Sequence, residues 1–179
     1  PQPPPLGGLY LAGPFSAFEV GGPPEPLEVY VRQVASAPMC GGALGDTGPI
    51  PPVGTSGTSV FTANVTDTGS ISDVNVTIDL NHTFMGDLEI YIQSPQGTSV
   101  QIFDDTGSSD DNMLATLSDE GATNISAGTP DYMGGTYSPD PGPLSDFDGE
   151  DPLGTWTLTV VDQLGGDSGF MNQWSVDIA

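Results

Sequence analysis

Lysine is absent from this chain, and arginine, histidine and cysteine occur once each, as Arg32, His82 and Cys40. Against that single base stand 24 acids, giving a formal net charge of −23 over 179 residues. A surface of that sign repels nucleic acid and anionic membranes, so neither is an expected partner; it favours a soluble, extended or cation-binding protein. One histidine and no lysine leave too few bases for a catalytic triad or a histidine-built metal site, and no enzyme is expected. One cysteine cannot close an internal disulfide. Cys40 reads as a small buried apolar residue, with a bond to a neighbouring chain as the alternative. Long apolar runs are missing too: nothing approaches the ~18 residues of a membrane span, and no basic segment followed by an apolar one marks a signal peptide. The chain opens on Pro1 without a methionine, so a processed, extracellular form is expected.

What is present is unevenly distributed. Twelve of the 18 prolines but only four of the 24 acids fall within the first 52 residues. A boundary is expected near residue 55, at the low-complexity stretch Gly54 to Ser59, with an arm over 1–55 and a domain over 56–179. Beyond it, short β-rich runs alternate with turn signals: Ser59 to Val65, Ser72 to Leu80, Asp87 to Gln93, Ser99 to Phe103, Gly154 to Val161 and Gln173 to Ile178. Their period is two. Val74, Val76, Ile78 and Leu80 share one face while Asn75, Thr77 and Asp79 share the other, and Leu88, Ile90, Ile92 and Trp156, Leu158, Val160 repeat the pattern. Helical periodicity never exceeds two turns, so the expected fold is an all-β sandwich of jelly-roll type with an extended N-terminal arm. Ser94-Pro95-Gln96-Gly97 fits a tight turn closing a hairpin, and Gly165, Gly166 and Gly169 predict another between the last two strands. The connection of roughly fifty residues from Asp104 to Gly154 is too long to be slack and should hold short edge strands and ordered loops.

These residues resemble a known family. The stretches Ile71 to Leu80, Asn81-His82-Thr83-Phe84-Met85-Gly86-Asp87-Leu88, Ser94 to Thr98, Ser118-Asp119-Glu120-Gly121-Ala122, Leu144 to Gly149 and Gly154-Thr155-Trp156-Thr157-Leu158 carry the likeness, with Asp162, Asp167, Gly169 and Trp174. In order and spacing they resemble the P domain, or P/Homo B domain, which follows the catalytic domain in proprotein convertases and many secreted bacterial proteases. The likeness covers about residues 58 to 179 and implies a jelly-roll-like sandwich, with Trp156, Trp174 and Phe147 in its core. It also implies that His82 is a hydrogen-bonded packing residue. It does not reach the arm, where those proteases carry a catalytic domain far larger than 55 residues.

Acids cluster in predicted loops at Asp104-Asp105, Asp110-Asp111, Asp119-Glu120, Asp146 to Asp151 and Asp162 with Asp167. Calcium takes six to eight oxygen ligands in flexible geometry and suits such loops, although no spaced EF-hand pattern occurs. P domains that look like this one often bind calcium, which makes it the expected cofactor. The expected ligands are Asp87, Asp119 and Glu120, which lie in family-like motifs at strand ends, then Asp162 and Asp167, five apart across a glycine-rich turn. Sequons at Asn64, Asn75, Asn81 and Asn124 would accept N-linked glycans in a secreted protein.

The arm begins Pro1-Gln2-Pro3-Pro4-Pro5, a polyproline II spacer by composition. It also holds two strand-like runs, Leu9, Leu11, Phe15 and Phe18 in the first, Leu27, Val29, Tyr30, Val31 and Val34 in the second. Ordering nine residues costs on the order of 9 to 18 kcal/mol, while burying three aliphatic side chains returns about 5 to 9, so such a strand must also complete a backbone ladder on a sheet edge. If the edge belongs to another copy, head-to-tail strand addition builds a homopolymer. The expected function is therefore a secreted structural subunit assembling into an extracellular filament. The alternatives are a calcium-binding accessory domain of a secreted subtilisin-like protease, for which the arm is a linker, and a carbohydrate-binding module, which needs an aromatic patch in an open groove.

Overall fold

The computed structural model describes residues 41–51, 55–128 and 133–179. The arm residues Leu9, Leu11, Phe15, Phe18, Leu27, Val29, Tyr30, Val31 and Val34, and Cys40, lie outside them. Ten strands form two sheets. They are β1 (Gly41–Leu44), β2 (Gly48–Ile50), β3 (Gly57–Val65), β4 (Val74–His82), β5 (Leu88–Gln93), β6 (Ser99–Asp104), β7 (Met113–Leu117), β8 (Met133–Tyr137), β9 (Gly154–Asp162) and β10 (Gly169–Ile178). The larger sheet runs β1-β10-β4-β7-β8, with β2 beside β1 on the same edge of β10; the smaller runs β3-β9-β5-β6. The all-β sandwich read from the alternation is the observed fold.

The alternation works as a packing rule. On β4 the burial string is strictly periodic, and Val74, Val76, Ile78 and Leu80 meet Leu88, Ile90, Ile92, Trp156, Leu158 and Val160 in one core. Trp156, Trp174 and Phe147 are wholly buried there, and Phe147 sets its ring edge-on to Trp156 at a centroid distance of 5.0 Å. Removing apolar area of this size from water is the main force holding the sheets face to face.

Two connections differ from expectation. Ser94 to Gly97 does close the β5–β6 hairpin, with Gly97 at φ +97° and its N–H donating to Ser94 O. Gly165 to Gly169, however, does not close a hairpin: β9 lies in the smaller sheet and β10 in the larger, so the segment arches between layers. The reason is packing. β9 is paired on both sides, by β3 and β5, and β10 by β4 on one side and β1 and β2 on the other, so neither offers an edge to the other and their apolar faces meet across the core. Residues 41–50, on the arm side of the expected boundary, supply β1 and β2. Between these strands the chain steps across the sandwich edge. Gly45 N–H donates to Trp174 O, Asp46 N–H donates to Thr62 O, and Asp46 Oδ2 accepts from the Thr62 N–H and hydroxyl at 3.2 and 2.6 Å. Thr62 lies on an edge strand, and Asp46 occupies its outward backbone groups.

The described parts of the long connection hold two strands, β7 in the interior of the larger sheet and β8 at its edge, paired parallel to β7. The β6 edge is covered by Asp140 and Gly142, whose N–H groups donate to Ile102 O and Gln101 O.

Candidate cation sites at the two ends of the sandwich

The five expected ligands fall at opposite ends of β4. Because β7 runs antiparallel to β4 and Leu117 pairs with Val76, Asp119 and Glu120 sit beyond the Val74 end. Asp87 and Asp162 sit beyond the His82 end, about 27 Å away at ~3.4 Å per residue. No single ion binds all five.

At the first end Asp119 already has a backbone role. Its two oxygens accept the N–H groups of Leu144 and Ser145 at 2.9 and 2.8 Å, which caps the short 3-10 turn Leu144–Phe147 and holds Phe147 against Trp156. Glu120 is exposed and accepts the Ser118 hydroxyl at 2.6 Å. Burial, then the Glu120 charge, pushes the nearby Asp73 carboxyl above its ordinary range. Asp119→Ala strands two backbone donors and frees the aromatic pair, so urea unfolding should show a loss of about 1 to 3 kcal/mol. Calcium affinity measured on the same variant should be unchanged.

The second end gathers more charge. Asp87 closes the 3-10 turn Met85–Asp87 and is 6% exposed. Its carboxyl is pushed up first by burial, then by the charges of Asp167 and Asp162, with His82 opposing. Among the described residues no side-chain hydrogen bond reaches that carboxylate. Asp162, at the end of β9, is 1% exposed. Its Oδ1 accepts the Leu164 N–H, while its Oδ2 has no hydrogen-bond partner and stands 3.5 Å from His82 Nε2. His82 is wholly buried, with Nδ1 within 3.0 Å of Phe84 O and 3.2 Å of Phe84 N. It is the packing residue the resemblance implied. Asp167, half-buried on the arch, accepts the Thr83 hydroxyl at 2.9 Å.

Beside this group, on the outer face of the smaller sheet, is a second one that the sequence reading did not select as ligands. One carboxylate oxygen each from Glu89, Asp104 and Asp105 lie within 4.8 Å of one another. Gln163 Nε2 donates to Glu89 Oε1 at 2.7 Å and to Asp105 Oδ1 at 3.0 Å, and the Tyr91 hydroxyl donates to Glu89 Oε2 at 2.8 Å. Burial, then the charges of Asp104 and Glu89, pushes the Asp105 carboxyl up, and burial with the Glu89 hydrogen bond pushes the Tyr91 phenol up to about 12. No lysine or arginine occurs among the described residues to offset either group.

Of the sequons, Asn64 is exposed on β3 and free of side-chain hydrogen bonds among the described residues. Asn75 donates to Asp73, Asn81 bonds to Asn112 and Asn172, and Asn124 caps Ser126 N while donating to Pro139 O. Both tryptophans are buried, so neither forms a sugar platform.

Comparison with known proteins places this architecture. A calcium-dependent protease of Trichormus variabilis is 28% identical over 117 residues, covering 64% of this chain and 15% of the relative. One from a Nostoc species is 29% identical over 124 residues, covering 68% and 16%. The chain thus spans under a fifth of the length of these curated relatives. The crystal structure of a serine protease of Aeromonas sobria aligns with 76% of this chain and 27% of its own, at 19% identity and a TM-score of 0.46. The family model of the proprotein convertase P-domain matches residues 71–178, which hold seven of the ten strands, β4 to β10, together with both acidic groups around Asp87 and Glu89, and the chain belongs to that family.

Proposed function

We propose that this chain is the non-catalytic accessory domain of an extracellular, calcium-dependent serine protease, and that calcium is its cofactor. The observation that carries this reading is family membership across residues 71–178, in a stretch that makes up about a sixth of relatives named as calcium-dependent proteases. A packed sandwich whose described residues show no nucleophile–base pair suits a module that stabilises a neighbour rather than cuts. The acid excess supports calcium, because a chain with no lysine or arginine in its described part gains most from an external cation where calcium is plentiful. No helix among the described residues is long and apolar enough to cross a membrane. If glycans are added, Asn64 is the sequon best placed to carry one.

The filament reading gives way to this one. Its carriers, the arm segments around Leu9 to Phe18 and Leu27 to Val34, lie outside the described residues, and family membership favours the alternative. The coding sequence upstream of Pro1 tests the proposal: it should encode a domain with an Asp, His and Ser triad. Deleting residues 41–179 from that longer protein should shorten its active half-life in calcium. An upstream sequence of further sandwich modules without a triad would refute the accessory reading.

A further inference from the structure

A sheet edge with unpaired backbone groups is a template for a further strand, and folded chains cover or charge such edges. The smaller sheet ends on β6 and β3. Asp140 and Gly142 cover β6, but the cover on β3 is incomplete. Thr62 turns its N–H and its C=O away from β9 toward Asp46. Because β3 pairs with β9 without a bulge, the alternate residues Thr58 and Val60 turn theirs the same way. Among the described residues no hydrogen bond reaches the N–H or C=O of either. No lysine, proline or acid blunts the stretch Gly57-Thr58-Ser59-Val60, and Val60 is 58% exposed.

The gap has a shape and a charge. Beyond Asp46 the chain leaves β3 for the larger sheet, where Gly48 pairs with Met171 and Pro49 with Phe170. That retreat opens a cleft of about 720 Å³ between the segment Gly45 to Pro49 and the strand from Ser59 to Phe61. Pro49, Val60 and Phe61 give it apolar surface. Asp46 stands exposed at the Thr62 end; Thr62 engages its Oδ2, while its Oδ1 has no hydrogen-bond partner among the described residues.

We propose that this edge is a peptide-binding site, at which a basic, extended segment of a separate polypeptide adds a short strand to β3 at Thr58 and Val60 and sets a lysine or arginine against Asp46. Such a site goes beyond the accessory-domain role and does not depend on it. Backbone pairing selects any extended segment, and the charge narrows the choice. A chain of net charge −23 attracts cationic segments and disfavours acidic ones. The same chain holds no lysine and a single arginine, so a second copy brings little charge to match and is repelled as it approaches. So short a ladder makes a weak contact that salt weakens further.

The test is titration of the full 179-residue chain, in chelator at low salt, with a capped octapeptide alternating valine and lysine. Amide hydrogen exchange at Thr58 and Val60 should slow about tenfold or more as the peptide saturates, since both amides are open in the free protein. Val60→Pro removes a donor that has no partner in the fold, at an edge that tolerates proline, so its Tm should stay within about 3 °C of wild type. Its affinity for the peptide should fall about tenfold or more. Asp46→Asn keeps an oxygen for Thr62 and should weaken the peptide about threefold. Spermine, a cation without a peptide backbone, should leave the two amides unprotected and bind wild type and Val60→Pro alike. Protection by spermine equal to that by the peptide, or a peptide affinity unchanged in Val60→Pro, overturns the site by reducing it to diffuse attraction between a cation and an acidic surface. Should Val60→Pro unfold, exchange in the wild type decides: Thr58 and Val60 amides that exchange as fast with the peptide as without it overturn the proposal.

Discussion

Gly45→Ala should cost at least about 3 kcal/mol in urea unfolding, beyond the ordinary range for one added methyl in a packed interior. A Cβ at this position would lie 1.9 Å from Cε2 and Nε1 of Trp174 and 2.5 Å from Cζ2. The indole cannot move aside, because Trp174 is wholly buried between the sheets. Nor can the backbone retreat: Gly45 N–H donates to Trp174 O at 2.9 Å and Gly45 bridges to Ala63, so one residue joins β10 of the larger sheet to β3 of the smaller. Displacing it opens the edge that Asp46 seals through Thr62. Trp174→Phe should recover part of the loss when combined with Gly45→Ala, since the atoms in conflict belong to the indole. The indole N–H has no hydrogen-bond partner, so that exchange strands no acceptor. A double-mutant cycle with coupling below about 0.5 kcal/mol would show that the two residues do not share this contact.

Gly45 also marks where the sequence becomes hard to read. The strands of the core were visible because alternate apolar residues leave a period of two, and β4, β5 and β9 follow it throughout. β1 and β2 leave no such trace: GGAL and GPI are short and built from residues that usually mark turns, and their pairing comes from β10 rather than from their own preference. Likewise, glycines between two apolar strands look the same whether the strands pair or face each other across a core. Only the decision of which sheet receives each strand separates a hairpin from an arch.

The acidic groups show the same division. Asp87 and Asp162 were legible because each ends a strand or turn within a recognisable motif. Glu89 was not, because its partner depends on a bulge. Counting back from the Ser94–Gly97 turn pairs Ile92 with Val100 and Tyr91 with Gln101, which would set Ile90 opposite Ile102 and Glu89 opposite Phe103. The observed register slips between Ile90 and Tyr91, so Ile90 meets Phe103 and Glu89 meets Asp104. Ile102 and Phe103 are both buried, and the extra residue is what turns Asp104 toward Glu89. Asp119 has a backbone role that its sequence did not show: a carboxylate in a loop serves backbone N–H groups as readily as a metal, and sequence does not distinguish the two.

In chelator, lowering the pH through the raised carboxyl values should stabilise this protein, the reverse of ordinary acid unfolding, and added salt should do the same. The carboxyls of Asp73, Asp87 and Asp105 are all raised above their ordinary 3.8 in the folded chain, by burial first and then by neighbouring acids. A carboxyl raised on folding binds its proton more tightly in the native state than in the unfolded one. Between the ordinary and the raised value the native state therefore carries more protons, and stability falls as pH climbs through that window. The penalty is fully present above the raised value and is relieved as the pH drops through it. No lysine or arginine among the described residues supplies the opposite linkage that makes most proteins fail in acid. Salt acts on the same repulsion. Raising ionic strength from about 0.01 to 1 M shortens the screening length from about 30 to 3 Å, and the melting temperature should rise by about 10 °C, or roughly 3 kcal/mol. On the calcium reading proposed above, calcium should reach a comparable rise at millimolar concentration, because a bound divalent ion acts on carboxylates at contact distance where diffuse salt acts only through solvent. A melting temperature that only falls as acid is added, or is indifferent to salt, would mean the crowded acids are already neutralised within the fold.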